Sequence, residues 1–244
     1  MLIAFGLVAI TALLLLAFIF IRRRSPAVFR PIEAFERLNH AIGLAVENGT
    51  RLHISLGRGD LFSSRGGSAL AGLAMLRRLT ERTSIGDRPP IVTSGNASIA
   101  ILSQDTLQAG YQAAGADDQY RLNTGRLTGL TPFSYAAGTI PITRDESVSA
   151  NVVIGNLGVE AALLAEAADR EDTRLIAASD DLSAQSIFYV AAENPLIGEE
   201  LFASGAYVGA GASHEASLQV QDILRWLLIL AILGGSLLRL LRII

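Results

Sequence analysis

ANVVIGNLGVEAALLAEAAD, Ala150 to Asp169, joins a β-rich apolar run to a glycine-bearing turn and then to a stretch with helical spacing. Asn151 to Ile154 reads as a strand, Gly155 to Gly158 as the turn and Val159 to Asp169 as a helix. The strand is nearly continuous in its apolar character rather than alternating, which is the mark of a parallel sheet covered on both faces. RLIAAS, Arg174 to Ser179, repeats the pattern as a strand, and Leu182 to Ala192 follows as a helix. Pro195 then breaks the chain, and Leu196 to Tyr207 reads as one more helix.

Toward the N-terminus the alternation continues. Arg51 to Leu56 and Ile91 to Thr93 are expected as strands, with Ser68 to Thr80 and Ala97 to Ala114 as the helices after them. The stretch from Gly115 to Ser147 is rich in Gly, Pro, Asp and Asn, and only Phe133 to Gly138 is expected to be helical there. Pro31 to Asn48 places Ile32, Phe35, Leu38, Ile42 and Ala45 on one helical face, with Gly49 just past its end. Together these elements predict an α/β, Rossmann-like domain with a mostly parallel sheet and helices on both faces.

The 244 residues are 50% hydrophobic, and part of that excess sits at the two ends. Met1 to Ile21 contains no charge, and about 20 apolar residues suffice to cross a bilayer core of about 30 Å. Arg22, Arg23 and Arg24 follow at once, the reverse of the charge order of a cleaved signal peptide. This predicts an uncleaved anchor with the arginine triplet, and the chain after it, on the cytoplasmic side. At the other end the charge-free run Trp226 to Leu238 spans only about 20 Å as a helix. A crossing there requires Arg225 and Arg239 to reach opposite interfaces, with Trp226 as an interfacial anchor. The alternative is an in-plane helix, because Arg225, Arg239 and Arg242 share one sector of the helical wheel. Small residues at Gly234, Gly235 and Ser236 suit close helix packing. The organisation expected is therefore an anchor at 1–21, a juxtamembrane amphipathic helix at 22–49, a cytoplasmic α/β domain at 50–213 and a membrane-spanning or interfacial segment at 214–244.

Cysteine is absent, which excludes disulfides, thiolate metal sites and cysteine nucleophiles. All 20 basic residues are arginine, so Schiff-base chemistry and the lysine of a Walker phosphate loop are excluded as well. With a net charge of -3 the chain does not look like a nucleic-acid binder. His40, His53 and His214 have no metal-binding spacing, and no G-x-S-x-G elbow occurs. No catalytic residue, metal or cofactor is expected on these grounds.

Two glycine-bearing strand ends remain as candidate ligand sites. The first is Gly57, Arg58 and Gly59, with Arg65 ahead of the next helix; backbone amides and two arginines there attract anions. Its spacing is neither G-x-G-x-x-G nor a Walker pattern, and a turn needing glycine torsions is the favoured reading of it. The second is Gly155 and Gly158, with Asp180 after the following strand, where a dinucleotide fold keeps its ribose-binding carboxylate. Asp180 as the N-cap of the helix over LSAQ is the structural alternative.

RLHISLGRGD, GDRPPIVTSG, GRLTGLTPFSYAAG, ANVVIGNLGVEAALLAEAAD and PLIGEELFASGAYVGA, in that order and ending in QVQDILRW, resemble an uncharacterised family of bacterial membrane proteins known as a domain of unknown function. The resemblance covers nearly the whole chain. It implies bacterial origin and membrane attachment, and it carries no activity or catalytic residue. The function expected is a membrane-anchored, non-catalytic scaffold of the inner membrane that forms a homo-oligomer through its cytoplasmic domain. Its partners would be membrane lipid, further copies and other membrane proteins. A nucleotide- or anion-binding regulatory protein is the alternative, and an enzyme without a recognisable motif is a second one.

Overall fold

A computed structural model describes residues 2–63, 66–84, 86 and 88–241. The chain divides into two compact units, Met1–Phe29 with Ala210–Ile244, and Arg30–Gly209.

The first unit is a pair of long apolar helices, α1 (Leu2–Arg24) and α9 (Ala212–Leu240). At about 1.5 Å per residue each exceeds a ~30 Å hydrocarbon core. Both are long and apolar enough to cross a membrane. They pack on each other, with the end of α1 beside the start of α9: Arg22 Nε donates to Gln219 Oε1 at 2.9 Å, and the Ala27 amide donates to Glu215 Oε2 at 2.7 Å. Arg24 lies over the Phe20 ring, Arg225 meets Asp222, and Trp226 is exposed. Arg242 lies outside the described residues.

The second unit is the α/β domain. Its helices are α2 (Glu33–Glu47), α3 (Gly66–Thr83), α4 (Ala97–Ala113), α5 (Pro132–Asp145), α6 (Ala161–Arg170), α7 (Leu182–Ala191) and α8 (Glu200–Tyr207). The strands are β1 (Arg51–Gly57), β2 (Ile91–Ser94), β3 (Gly125–Leu127), β4 (Val148–Asn156), β5 (Arg174–Ser179) and β6 (Leu196–Ile197). They form one six-stranded, all-parallel sheet in the order β3-β2-β1-β4-β5-β6. Helices cover both faces, as the continuous strands require. Leu52, Ile54 and Leu56 point to the side of α3, whose Gly72 lets Leu56 approach. Tyr135, Val153, Leu164, Ala177 and Phe188 form the core under α5, α6 and α7 on the other side.

Three details depart from the sequence expectation. Leu196–Ile197 is an edge strand rather than the first turn of a helix, and α8 begins only at Glu200. β3 hides within the turn-rich stretch as a three-residue strand beside β2. The helix expected at Phe133 to Gly138 runs on to Asp145 through Pro141. Its Thr131–Ser134 capping box starts it firmly, and burial of Thr139, Ile142 and Thr143 outweighs the hydrogen bond the proline removes.

The central strands also carry a buried polar band that an apolar reading of them passes over. His53 Nδ1 meets Asn151 Oδ1 at 2.8 Å, and His53 Nε2 meets Thr93 Oγ1 at 2.9 Å. Asn151 Nδ2 donates to Thr173 Oγ1, and the Tyr135 hydroxyl lies 2.6 Å from Ser55 Oγ. The register brings these together, since His53 stands opposite both Ile91 and Asn151, and Ser55 opposite Thr93. Burial holds the His53 pKa down at about 4, with the Arg126 charge adding to it and the Asn151 hydrogen bond opposing. The ring is therefore neutral at pH 7, with Nδ1 donating to the Asn151 carbonyl and Nε2 accepting from Thr93.

Candidate functional site

The order of strands reverses between β1 and β4: the chain moves outward through β2 and β3, then returns to place β4 on the other side of β1. Ligands of open parallel sheets bind in the crevice at the carboxyl ends of the strands that flank such a reversal. Here those ends are Gly57 to Gly59 and Asn156 to Glu160. Sequence reading treated the two glycine-bearing strand ends as separate candidates; the sheet puts them side by side.

Their backbones are in direct contact. The Arg58 amide donates to the Asn156 carbonyl at 2.8 Å, and the Gly95 amide donates to the Gly57 carbonyl at 2.8 Å. Gly57 has φ +65°, and a Cβ on it would run into the Asn156 carbonyl. Gly155 has φ +134°, and a Cβ there would strike the Leu56 carbonyl. Both glycines are thus fixed by the close approach of β1 and β4. Gly59 is buried against Asn156 and Ala69 with ordinary contacts.

Arg58 Nε donates to Glu160 Oε1 at 2.8 Å, and the Glu160 side chain is only 1% exposed. Burial pushes the Glu160 pKa up. Hydrogen bonds from Arg58 and from the backbone amides of Gly158 and Glu160, with the Arg58 charge, outweigh that and hold it below its ordinary value. Two further glycines make room for the pair: a Cβ on Gly95 would collide with Arg58 Cγ, and one on Gly158 would stand 2.9 Å from Glu160 Oε2. Glu160 was not among the residues singled out from sequence. Its place two residues after Gly158 carries no sequence signal of the burial and pairing that the structure shows.

Asp180 accepts from Asn156 Nδ2 at 2.8 Å, so the acid in the ribose-binding position is tied to β4. The N-cap of α7 is Asp181, which accepts from the Ser183 amide, rather than Asp180. Arg65 lies outside the described residues. The anion-attracting groups of the crevice thus hold an anion that the chain itself supplies. Among the described residues no group of three or more His, Asp or Glu is placed to hold a metal ion.

No curated protein and no solved structure matches the chain. The model of a domain of unknown function, DUF6754, matches residues 1–244, and the chain belongs to that family.

Proposed function

We propose that this chain is a membrane-anchored, non-catalytic structural protein of the bacterial inner membrane, whose α/β domain faces the cytoplasm and assembles with further copies of itself. The observation that carries the reading is an apolar stripe left open on α7. Leu182, Tyr189 and Val190 are 79%, 74% and 87% exposed, and they share one helical face. Large apolar side chains grouped on one surface mark an interaction site. Two long apolar helices would confine copies to one plane and raise their local concentration. Gly234 and Gly235 on α9 have no described atom within 4 Å of where a Cβ would sit, which leaves a second small-residue surface open. The crevice argues in the same direction, since Arg58 and Asp180 are engaged internally.

The test is the mass of the full chain in lipid nanodiscs or mild detergent, by light scattering. Oligomers are expected for the native chain and smaller species for Tyr189→Glu with Val190→Glu. A native chain that stays monomeric across concentrations overturns the reading.

A second reading, an anion- or nucleotide-binding regulatory protein, has one observation in its favour. Arg58 spends Nε on Glu160 while its terminal nitrogens have no hydrogen-bond partner among the described residues. Nucleotides at millimolar concentration would then raise the melting temperature of the native chain and not that of Arg58→Ala.

A further inference from the structure

α9 is one unbroken helix whose first half is polar and whose second half, from Trp226 to Leu238, carries no charge. Its direction is set where it meets α1. Arg22 Nε donates to Gln219 Oε1 and the Ala27 amide to Glu215 Oε2, so α9 starts at the end of α1 and runs back along it, antiparallel. On α1, Thr11, Leu14, Leu15, Phe18 and Arg22 are half-buried, while Leu13, Leu16 and Phe20 between them are exposed. The covered positions recur at the three- and four-residue spacing of one helical face, the face that α9 packs against.

Twenty residues from the Arg22–Gln219 bond, α1 reaches Leu2 and α9 reaches Arg239. At about 1.5 Å per residue both lie about 30 Å from the bond, which is the thickness of a hydrocarbon core. An unbroken helix that follows a crossing neighbour does not lie flat in one interface. The charges fit the same placement. Arg23 and Arg24 close α1 at one end without a carboxylate partner among the described residues, and Arg239 stands exposed at the other. Arg225 falls inside the apolar length, and its guanidinium turns back one helical step to Asp222, toward the Gln219 end. Thr11, the one polar side chain between Leu2 and Ile21, donates to the Leu7 carbonyl, so α1 leaves no side-chain donor open to lipid.

We infer that α1 and α9 cross a bilayer together as an antiparallel hairpin, with their apolar side chains against acyl chains and Arg23, Arg24 and Arg239 on lipid phosphates at opposite faces. The inference rests on the membrane-anchored reading above and goes beyond it, because it makes α9 a full crossing rather than an in-plane helix and puts Ser25 and Leu240 on opposite sides.

The chain contains no cysteine, so Ser25→Cys, Leu230→Cys and Leu240→Cys, all at exposed positions, each report one depth in the full chain in bacterial cells. A charged maleimide that does not cross membranes is applied before and after permeabilisation. Leu240→Cys should label in intact cells, and Ser25→Cys about tenfold or more better once they are opened. Leu230→Cys should resist in both, since a charged reagent does not enter the hydrocarbon layer. Opposite sides in the reverse sense keep the hairpin and overturn only the cytoplasmic placement of the domain. Ser25→Cys and Leu240→Cys labelled from one side, with both variants in the membrane fraction, overturn the hairpin and leave the anchor standing. Ready labelling of Leu230→Cys in opened cells overturns the hairpin too, and with the chain in the soluble fraction membrane anchoring falls with it.

Discussion

The two ends of this parallel sheet use charge in opposite ways. At the carboxyl end, between β1 and β4, Arg58 is matched by the buried Glu160 and Asp180 by Asn156, while Gly57 and Gly155 let the strand backbones touch. At the start of β5, Glu36, Asp169 and Asp172 line an open cleft together with Arg37 and Arg174, and none of the three carboxylates forms an ion pair among the described residues. Paired, buried charges serve the fold, because breaking them strands a partner in a poorly solvated place. Exposed charges without partners add little to the fold, which leaves them free for something outside it.

The largest effect expected from this contrast is on stability. Glu160→Gln keeps the shape of the side chain and removes the charge that balances Arg58, which should cost about 3 kcal/mol. Glu36→Gln at the other end should stay within about 0.5 kcal/mol of the native chain. Denaturation followed by far-UV circular dichroism compares the two. Equal losses would erase the distinction between the ends.

Between the ends lies the polar band, and it should give the domain a pH dependence of its own. His53 has its pKa held at about 4, below the ordinary histidine value, so the unfolded chain binds a proton that the folded chain refuses. Stability should therefore be full above about pH 6.5, fall as pH drops toward 4 and level off below that, by roughly 3 kcal/mol in total. Replacing His53 with Gln should remove this part of the slope. A native chain whose stability is flat over that range would show that the ring is protonated in place.

A smaller effect belongs to Gly158. Gly158→Ala puts a methyl group against Glu160 Oε2, which must shift to accommodate it, and about 1 kcal/mol is expected. If the loss matches that of Glu160→Gln, the carboxylate has been expelled altogether; if the variant is neutral, the carboxylate is looser than the pair implies.

The alternation of strands and helices was legible because each element is short, strongly apolar and set off by glycine or proline. The all-parallel sheet followed from the unbroken apolar runs in β4 and β5. β3 and β6 were not legible: three and two residues carry no periodicity, and both are created by the neighbouring strand they pair with. α5 hid behind Pro141, where tertiary burial overrides local preference. At the crevice, the glycines and Asp180 could be picked out by spacing, but Glu160 could not. Nothing in a linear string shows that a glutamate at a helix start folds back toward an arginine 102 positions away. The cleft was invisible for the same reason, since its carboxylates come from α2, α6 and the turn after it.

The smallest expected change in stability lies in the turn that ends α6, beside the cleft. α6 ends in a turn where the Thr173 amide donates to the Ala168 carbonyl and the Asp172 amide to the Asp169 carbonyl, with Asp172 at φ +51°. That is the position where helices usually place glycine, and a negative charge there also opposes the helix dipole. For the fold alone, Asp172→Gly should be neutral or should stabilise by about 0.5 kcal/mol. A loss of more than about 0.5 kcal/mol for Asp172→Gly would show that the exposed carboxylate holds this turn together, against its place after the end of α6.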